Sequence, residues 1–173
     1  MNIAKERKAI DAALDDYRAQ LDTIPDERFT ETPPDGGWSY AEVYSHILQA
    51  TLGSSIALER CAHNTCPPTT KGLTPLGQLM MFMGRFPPVR VKVPEAVAAK
   101  IPAAKLSKED AKNLIIKCRK RIDDTAPLVK QSSSISRYKH ARLGMLNAKQ
   151  WFKFIRIHLK HHLKQLKRIA KKF

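Results

Sequence analysis

The segment from Trp151 to Phe173 carries apolar residues at helical intervals, and this pattern constrains the fold of the chain more than any other. At a rotation of about 100° per residue, one stripe of the predicted helix falls within about 80° of arc. The stripe comprises Trp151, Ile155, His158, His162, Leu166, Ile169 and Phe173. The opposite side carries six cations, as in an amphipathic helix packed on a core: Lys153, Arg156, Lys160, Lys164, Lys167 and Lys171. Two histidines therefore lie at the centre of the buried face, with His161 at its margin.

Three other segments have the same periodicity. They cover about residues 2–24, 39–64 and 107–126, and Pro25 and Pro127 mark the ends of the first and third. Three helix starts carry a capping side chain with a suitable partner three residues later: Ser39 with Glu42, Ser107 with Asp110, and Asn147 with Gln150. Four helices of this length predict an all-α fold.

Two irregular stretches separate the later helices. The first, residues 65–106, contains seven of the eleven prolines, and so long a connection usually forms a functional loop or a cap on the core. Within it, LGQLMMFMGRF predicts one short apolar helix, whose methionines more often fill the end of a bundle than line a ligand site. The second stretch, QSSSISRYKHARLG, shows no convincing strand pattern. We therefore expect a single domain, residues 1–173, forming an antiparallel four-helix bundle with a long irregular connection between its second and third helices.

Composition indicates a cellular setting. No apolar run approaches the roughly 18 residues that a membrane span needs, and the amphipathic N-terminus does not resemble a secretory signal. The three cysteines, Cys61, Cys66 and Cys118, are an odd and sparse set. Such a set is typical of free thiols in a reducing compartment rather than of a disulfide framework. These features lead us to expect a cytoplasmic protein with no membrane span.

The net charge of +15 is distributed unevenly. Residues 1–124 contain 18 basic and 16 acidic side chains, whereas residues 125–173 contain 13 basic and no acidic ones. A surface of that kind attracts nucleic acid or anionic membranes. The alternative is a solvated, lysine-rich helix face, which we favour because no aromatic stacking platform or groove-binding motif accompanies the lysines.

The second predicted helix carries another informative histidine. One of its faces is lined by Val43, His46, Ala50, Gly53 and Ala57. Small side chains of this kind allow a neighbouring helix to approach closely. If the second and fourth helices face each other, the imidazole of His46 meets those of His158 and His162. A buried imidazole without a partner costs about 1–3 kcal/mol, so the three rings need something to satisfy them.

A divalent transition-metal ion satisfies three converging imidazoles, although each histidine alone is more often a core or surface residue. Neutral imidazole binds zinc, nickel or iron, and an i, i+4 pair presents two nitrogens to one ion. Three histidine ligands leave positions for water or substrate, as in a catalytic rather than a structural site. The sequence CAHNTC offers Cys61, His63 and Cys66 as a competing set, but its spacing matches zinc ribbons poorly.

Two stretches of the chain resemble the DinB-like (DinB/YfiT-like) superfamily of metal-binding four-helix bundles. In the first, GWSYAEVYSHILQAT, a histidine follows a Gly-Trp-Ser start. In the second, KHARLGMLNAKQWFKFIRIHLKHHLKQLKRI, a Leu and a Trp precede H-x-x-H-H-L-x-Q. By position, the resemblance implies that His46, His158 and His162 are metal ligands. The chain departs from the family pattern at Ala141, where a proline is common, and at Leu143, where an aromatic residue is common.

The resemblance also implies a function. Characterised members include thiol S-transferases and isomerases that use low-molecular-weight thiols. We therefore expect a metal-dependent enzyme that transfers such a thiol or hydrolyses a small-molecule substrate, with its metal at one end of the bundle beneath the proline-rich connection. The resemblance further suggests a homodimer formed through helix faces. The alternatives are a metal-binding bundle without catalysis and, less favoured, a basic nucleic-acid-binding bundle.

No catalytic residue is assigned from the sequence. Glu42 lies one turn before His46, but its capping role explains it equally well. Gln165, one turn beyond His162, is similarly ambiguous. Tyr44 lies on the opposite side of its helix from His46 and is expected to pack elsewhere.

Overall fold

The structure is a computed structural model that describes residues 1–87 and 104–173. Its elements in chain order are α1 (Ile3–Thr23), α2 (Asp26–Phe29), α3 (Tyr40–Ala62), α4 (Pro75–Met83), α5 (Lys108–Gln131), β1 (Arg137–His140), β2 (Gly144–Asn147) and α6 (Ala148–Ile169). The predicted all-α class and the four-helix bundle, built from α1, α3, α5 and α6, are confirmed. Residues 88–103 of the long connection lie outside the described residues.

Charged side chains show how α1 and α5 are arranged. The pairs along the two helices are Asp22 with Lys112, Asp15 with Arg119, and Asp123 with Arg7. Because the order of the partners is reversed along the chain, these two helices are antiparallel.

Helices α3 and α6 form the other antiparallel pair. His46 of α3 lies beside His162 of α6, whereas Cys61, near the end of α3, donates to the carbonyl of Leu146, just before α6 begins. Helix α3 runs in the same direction as α5: the thiol of Cys118 donates to the Leu48 carbonyl, and Arg121, further along α5, pairs with Glu59. The long connection between α3 and α5 allows this, because it returns the chain to the starting end of the bundle.

All three predicted helix caps are present. Ser39 with Glu42 and Asn147 with Gln150 form complete capping boxes, and the hydroxyl of Ser107 accepts from the backbone N–H of Asp110. The short helix predicted in the proline-rich connection is also present, as α4. Its Met80 is fully buried, consistent with methionine packing against the end of a core.

Helix α5 continues past Pro127 to Gln131, so the predicted end at this proline is wrong. Proline removes one helical hydrogen bond, leaving the carbonyl four residues earlier, that of Asp123, without its usual donor. Both residues are exposed, so water can satisfy that carbonyl. Continuing the helix also buries Val129 completely, which offsets the lost hydrogen bond.

The stretch before α6, predicted to lack strands, contains a two-stranded antiparallel hairpin. Strand β1 pairs with β2 from Arg137 opposite Asn147 to His140 opposite Gly144. Gly144 has φ +88°, and a Cβ at this position would lie 2.5 Å from the carbonyl oxygen of Gly72. Only glycine therefore allows the hairpin to pack this closely against the proline-rich connection. The strands have four residues each and no apolar alternation, so periodicity could not reveal them.

Two side chains of α6 attach α4 to the bundle. Lys153 donates to the carbonyl of Met81 at 2.7 Å. Arg156 donates to the carbonyl of Gly84 at 3.2 Å and pairs with Glu6 of α1, and both members of this ion pair are largely shielded from solvent. These contacts place the residues just after α4 over the middle of α6.

Buried tyrosines link three helices at the centre of the core. The hydroxyl of Tyr44 on α3 donates to the carbonyl of Tyr17 at 2.8 Å, and the hydroxyl of Tyr17 on α1 donates to the carbonyl of Leu159 on α6 at 2.9 Å. Both tyrosines are fully buried, and their rings meet edge to face. Tyr44 thus packs away from His46, as predicted. Among the described residues, no helix combines the length and apolar character needed to cross a bilayer.

We expect Tyr17→Phe to lower the free energy of unfolding by about 1–2 kcal/mol, because it removes a buried hydrogen bond between α1 and α6. Urea denaturation followed by circular dichroism measures the change. Tyr138→Phe is the matched control, since Tyr138 is 39% exposed. Removing its hydroxyl should lower the free energy of unfolding by no more than about 0.5 kcal/mol. Equal effects of the two substitutions would contradict this account of the core.

Candidate metal centre

The imidazoles of His46, His158 and His162 converge at the interface of α3 and α6. Their ring centroids are 4.6–5.2 Å apart, and one nitrogen from each ring lies within 4.8 Å of the other two. Helix α6 contributes two rings because residues four apart lie on the same face. In residues 1–87 and 104–173, this is the one group of histidine, cysteine or acidic side chains close enough together to hold a metal ion.

Hydrogen bonding fixes the orientation of His162. Its Nδ1 lies 2.7 Å from Oε1 of Gln165. Since an amide oxygen can only accept, Nδ1 carries the proton and Nε2 presents its lone pair to the cluster. This is the tautomer that a metal-binding histidine needs, held by a neighbouring side chain. Gln165, left ambiguous by the sequence, therefore contacts a candidate ligand directly.

The spacing of the nitrogens fits a shared ion. Nε2 of His158 and Nε2 of His162 are 3.0 Å apart. Two ligand nitrogens at about 2.1 Å from one ion are roughly 3.0–3.4 Å apart when the angle between them is about 90–109°. Nδ1 of His158 is shielded from solvent and has no hydrogen-bond partner among the described residues. At this separation the two Nε2 atoms can bind one cation once neither of them carries a proton.

Burial keeps the three rings neutral. Desolvation lowers the pKa of His46, lowers that of His158 well below its usual value, and lowers that of His162 to about 3. The positive charge of Arg168 lowers the pKa of His162 further. Neutral imidazole is the form that binds metal ions, so the cluster is ready to bind an ion at neutral pH without first releasing a proton from an imidazolium.

Aromatic side chains surround the cluster. The Trp38 ring lies 5.2 Å from that of His46, Phe154 stacks on His158 at 5.0 Å, and Phe86 lies 6.0 Å from His158. Phe86 follows α4, so the described part of the proline-rich connection reaches the cluster. These rings reduce the exposure of the imidazoles to water and strengthen electrostatic interactions inside the site.

Two clefts lie near this end of the molecule. The smaller, about 200 Å³, is lined by Trp38, Gln165 and Arg168 among others, and so adjoins the histidine cluster. The larger, about 500 Å³, is lined by Tyr40 and Phe173 among others and by none of the three histidines. Although it is smaller, the first cleft is the relevant one, because Trp38 and Gln165 contact His46 and His162.

Other candidate residues lie outside the cluster. Glu42 bonds to both the backbone N–H and the hydroxyl of Ser39 at 2.7 Å, which confirms its capping role. His161 packs its ring against Phe86 and edge-on against His162, but it is not one of the three converging ligand candidates. Cys61 and Cys66 are buried free thiols with their sulfurs 3.9 Å apart, and burial raises the pKa of Cys61 to about 12. A thiol of that kind is a poor metal ligand at neutral pH.

The small residues of α3 were predicted to allow α6 to approach closely, and one of them does not have this role. Helices α3 and α6 do face each other, but Gly53 is exposed, and a Cβ added there would meet no described atom within 4 Å. Close approach of the helices therefore does not depend on this glycine. The two helices meet at both ends of α3, where His46 lies beside His162 and Cys61 donates to the Leu146 carbonyl just before α6.

Sequence reasoning missed the aromatic surroundings of the cluster. Phe154 precedes His158 by four residues, so helical spacing could have indicated their contact. Trp38 and Phe86 lie in connecting segments, whose path periodicity does not predict. His140 was also missed: its ring packs against Trp151 and Phe154, and its Nδ1 accepts from the backbone N–H groups of Arg142 and Leu143 in the hairpin turn.

Comparison with known proteins agrees with this architecture. The family model of the DinB superfamily matches residues 9–166. The chain belongs to the DinB superfamily. A search of the curated proteins found no match. The family assignment therefore rests on the match to the family model, and the fold agrees with it.

Three solved structures share the fold of this DinB protein. TT2238, a four-helix bundle protein, aligns with a TM-score of 0.62 and 16% identity over 96% of this chain and 99% of its own. YfiT from Bacillus subtilis is described as a probable metal-dependent hydrolase with an unusual four-helix bundle topology. It aligns with a TM-score of 0.65 and 12% identity, over 98% of this chain and 86% of its own. A mycothiol-dependent maleylpyruvate isomerase aligns with a TM-score of 0.60 and 13% identity, over 96% of this chain and 61% of its own. At these identities the likeness establishes the fold alone.

We expect the stability of this DinB protein to fall as the pH drops from about 6.5 to about 4, in part because of His140. Burial lowers its folded pKa from 6.5 to about 4. Between these pH values the unfolded chain binds a proton that the folded chain does not. His140 therefore contributes up to about 3 kcal/mol to the free energy of unfolding at neutral pH, and this contribution is lost as the pH falls. His140→Asn keeps a turn acceptor that does not titrate in this range, and should reduce the slope of unfolding free energy against pH.

Urea unfolding at several pH values measures that slope. His63→Asn serves as the control, because His63 is exposed and its side chain has no hydrogen bond among the described residues. An unchanged slope in His140→Asn would show that the hairpin turn does not exclude the proton.

Proposed function

We propose that this DinB protein is a metal-dependent enzyme in which His46, His158 and His162 hold one divalent transition-metal ion, zinc, nickel or iron. The observation that carries the proposal is the convergence of three neutral imidazoles whose nitrogens lie within 4.8 Å of one another. Two of these nitrogens already have the separation that ligands of one ion require. With three protein ligands, coordination positions remain for a substrate.

An ion held by His46, His158 and His162 would supply Lewis-acid chemistry. The side-chain oxygen of Gln165 accepts a hydrogen bond from Nδ1–H of His162, which keeps Nε2 directed at the ion. Trp38, Phe86 and Phe154 pack around the imidazoles and limit the access of water. Each of these side chains acts on the ligands, which makes them positioning residues.

The substrate we propose is a low-molecular-weight thiol, transferred to a small electrophile. A thiol reacts as its thiolate, and the cations of α6 near the cluster, Arg168 and Lys164, favour an anion there. The mycothiol-dependent maleylpyruvate isomerase, a protein of the same fold, uses a thiol. Hydrolysis is the second candidate, supported by the likeness to YfiT, described as a probable metal-dependent hydrolase.

The metal is tested by elemental analysis of protein purified without a histidine tag. We expect about one ion per chain in the native protein and less than about a tenth of that in His158→Ala, because two imidazoles bind too weakly to retain the ion through purification. His161→Ala is the matched control, since it removes an imidazole of the same helix that packs against His162 but is not among the converging ligand candidates. Equal metal content in the two variants would refute the ligand assignment.

The role of Gln165 gives a separate prediction. Gln165→Met preserves the size of the side chain but leaves Nδ1–H of His162 without its acceptor, so metal affinity should fall by about 10–100-fold. Competition with a chromophoric chelator measures it. Gln49→Met, an exposed glutamine of α3, should leave the affinity unchanged, and a similarly unchanged affinity in Gln165→Met would remove its positioning role.

Catalysis is tested with the metal-loaded protein and a panel of thiols, electrophiles and esters. Consumption of thiol and electrophile together supports transfer, and ester cleavage without thiol supports hydrolysis. Bound metal with no turnover of any compound favours a metal-binding bundle without catalysis. We also propose that the chain acts as a single domain and self-associates through helix faces, which sedimentation equilibrium tests.

A further inference from the structure

The cleft beside the histidine cluster has a cationic wall. Gln165, Arg168 and Lys172 form one side of it, and Trp38 and Ile169 contribute apolar surface. Its volume of about 200 Å³ is below the usual range for drug-sized ligands. The cleft therefore suits a small molecule, or one end of a larger one.

The polar side chains of this wall continue the line of metal-ligand candidates along α6. His158, His162, Gln165, Arg168 and Lys172 follow one another at intervals of three or four residues, so they share one side of the helix and its C-terminal extension. At 1.5 Å per residue, Arg168 lies about 9 Å beyond His162 along the axis. The long arginine side chain can span much of that distance.

Both cations keep their charge available. Lys172 donates to the carbonyl of Gly36 at 3.1 Å, which holds its ammonium at the cleft without neutralising it. Arg168 is exposed and forms no ion pair with any acidic side chain among the described residues. Most arginines of α1 and α5, in contrast, pair with carboxylates, as Arg119 does with Asp11 and Asp15.

We propose that Arg168 and Lys172 form an anion subsite that binds the carboxylate of the substrate, so that the enzyme acts on small thiols carrying an acidic group. This inference rests on the proposed function for the thiol end of the molecule. A guanidinium binds a carboxylate through two parallel hydrogen bonds and so orients it as well as attracting it. With the carboxylate at Arg168, the thiol of a short mercapto acid points along α6 toward the three imidazoles.

The walls of the cleft support the same assignment. Trp38 and Ile169 provide apolar contact for the methylene groups between thiol and carboxylate, while Gln165 is committed to His162. A neutral thiol of similar length makes the apolar contacts but leaves the two cations without a partner. Discrimination between acidic and neutral thiols is therefore the property that this subsite confers.

The test compares 3-mercaptopropionate with 2-mercaptoethanol. Cobalt-substituted protein reports binding of either thiol through changes in its visible and charge-transfer absorption. We expect the acidic thiol to bind at least about tenfold more tightly, since charge-assisted hydrogen bonds strengthen binding by that order. Propionate, which has no thiol, is titrated separately into the zinc-loaded protein, and the NMR signal of the Trp38 indole N–H should shift.

Arg168→Gln should abolish the preference, bringing the affinities of the two thiols within about twofold of each other and removing the propionate shift. Lys160→Gln, which removes the same charge from an exposed position of α6, should retain both. Metal content, measured in every variant, shows that the cluster is intact.

The outcomes separate the subsite from the proposed function. If both thiols bind with equal affinity, the subsite is refuted while thiol binding stands. If neither thiol changes the cobalt spectrum but propionate shifts Trp38 in an Arg168-dependent way, the anion subsite stands and the thiol substrate fails. An equal loss of preference in Lys160→Gln and Arg168→Gln would replace the subsite by the general charge of the helix.

Discussion

The candidate site of this DinB protein depends on three imidazoles held together, and largely desolvated, between α3 and α6. Each costs about 1–3 kcal/mol when desolvated without a partner, yet His162 is only 7% exposed, and Nδ1 of His158 has no partner among the described residues. A core of this size can be built without such groups. Their retention at one point, with one nitrogen of each ring within 4.8 Å of the other two, is the physical reason to infer an ion, because a shared cation satisfies these three nitrogens together.

The rest of the bundle holds the two helices in the register that this cluster needs. The hydroxyl of Tyr17 is bonded to the backbone of α6 one residue after His158, and Tyr44 on α3, two residues before His46, is bonded to the backbone of α1. Helix α1 thus connects both halves of the site from the opposite side of the core. Lys153 and Arg156 fix α4 on α6, which places Phe86 against the cluster.

Charge is divided along the same lines. Carboxylates of α1 and α5 pair largely with arginines and lysines of those two helices, whereas the second half of α6 is basic and meets few acidic groups in the described part of the chain. The excess of positive charge therefore lies next to the imidazoles. Desolvation is the main cause of the depressed pKa values of His161 and His162, and the charge of Arg168 lowers both further. The same positive charge favours anions near the cluster.

The sequence by itself determined the four long helices, their caps and the helical face that carries His158 and His162, because these depend on local spacing and on hydrogen bonds between near neighbours. It also indicated His46 through its position on α3. Only the tertiary structure decided that α3 faces α6, that Gln165 contacts His162 and Glu42 does not serve the site, and that Trp38 and Phe86 complete its walls. The tertiary structure also decided that β1 and β2 form a hairpin and that α5 continues past Pro127. Contacts between residues far apart in sequence depend on how whole faces pack, and that information is absent from the periodicity of any single segment.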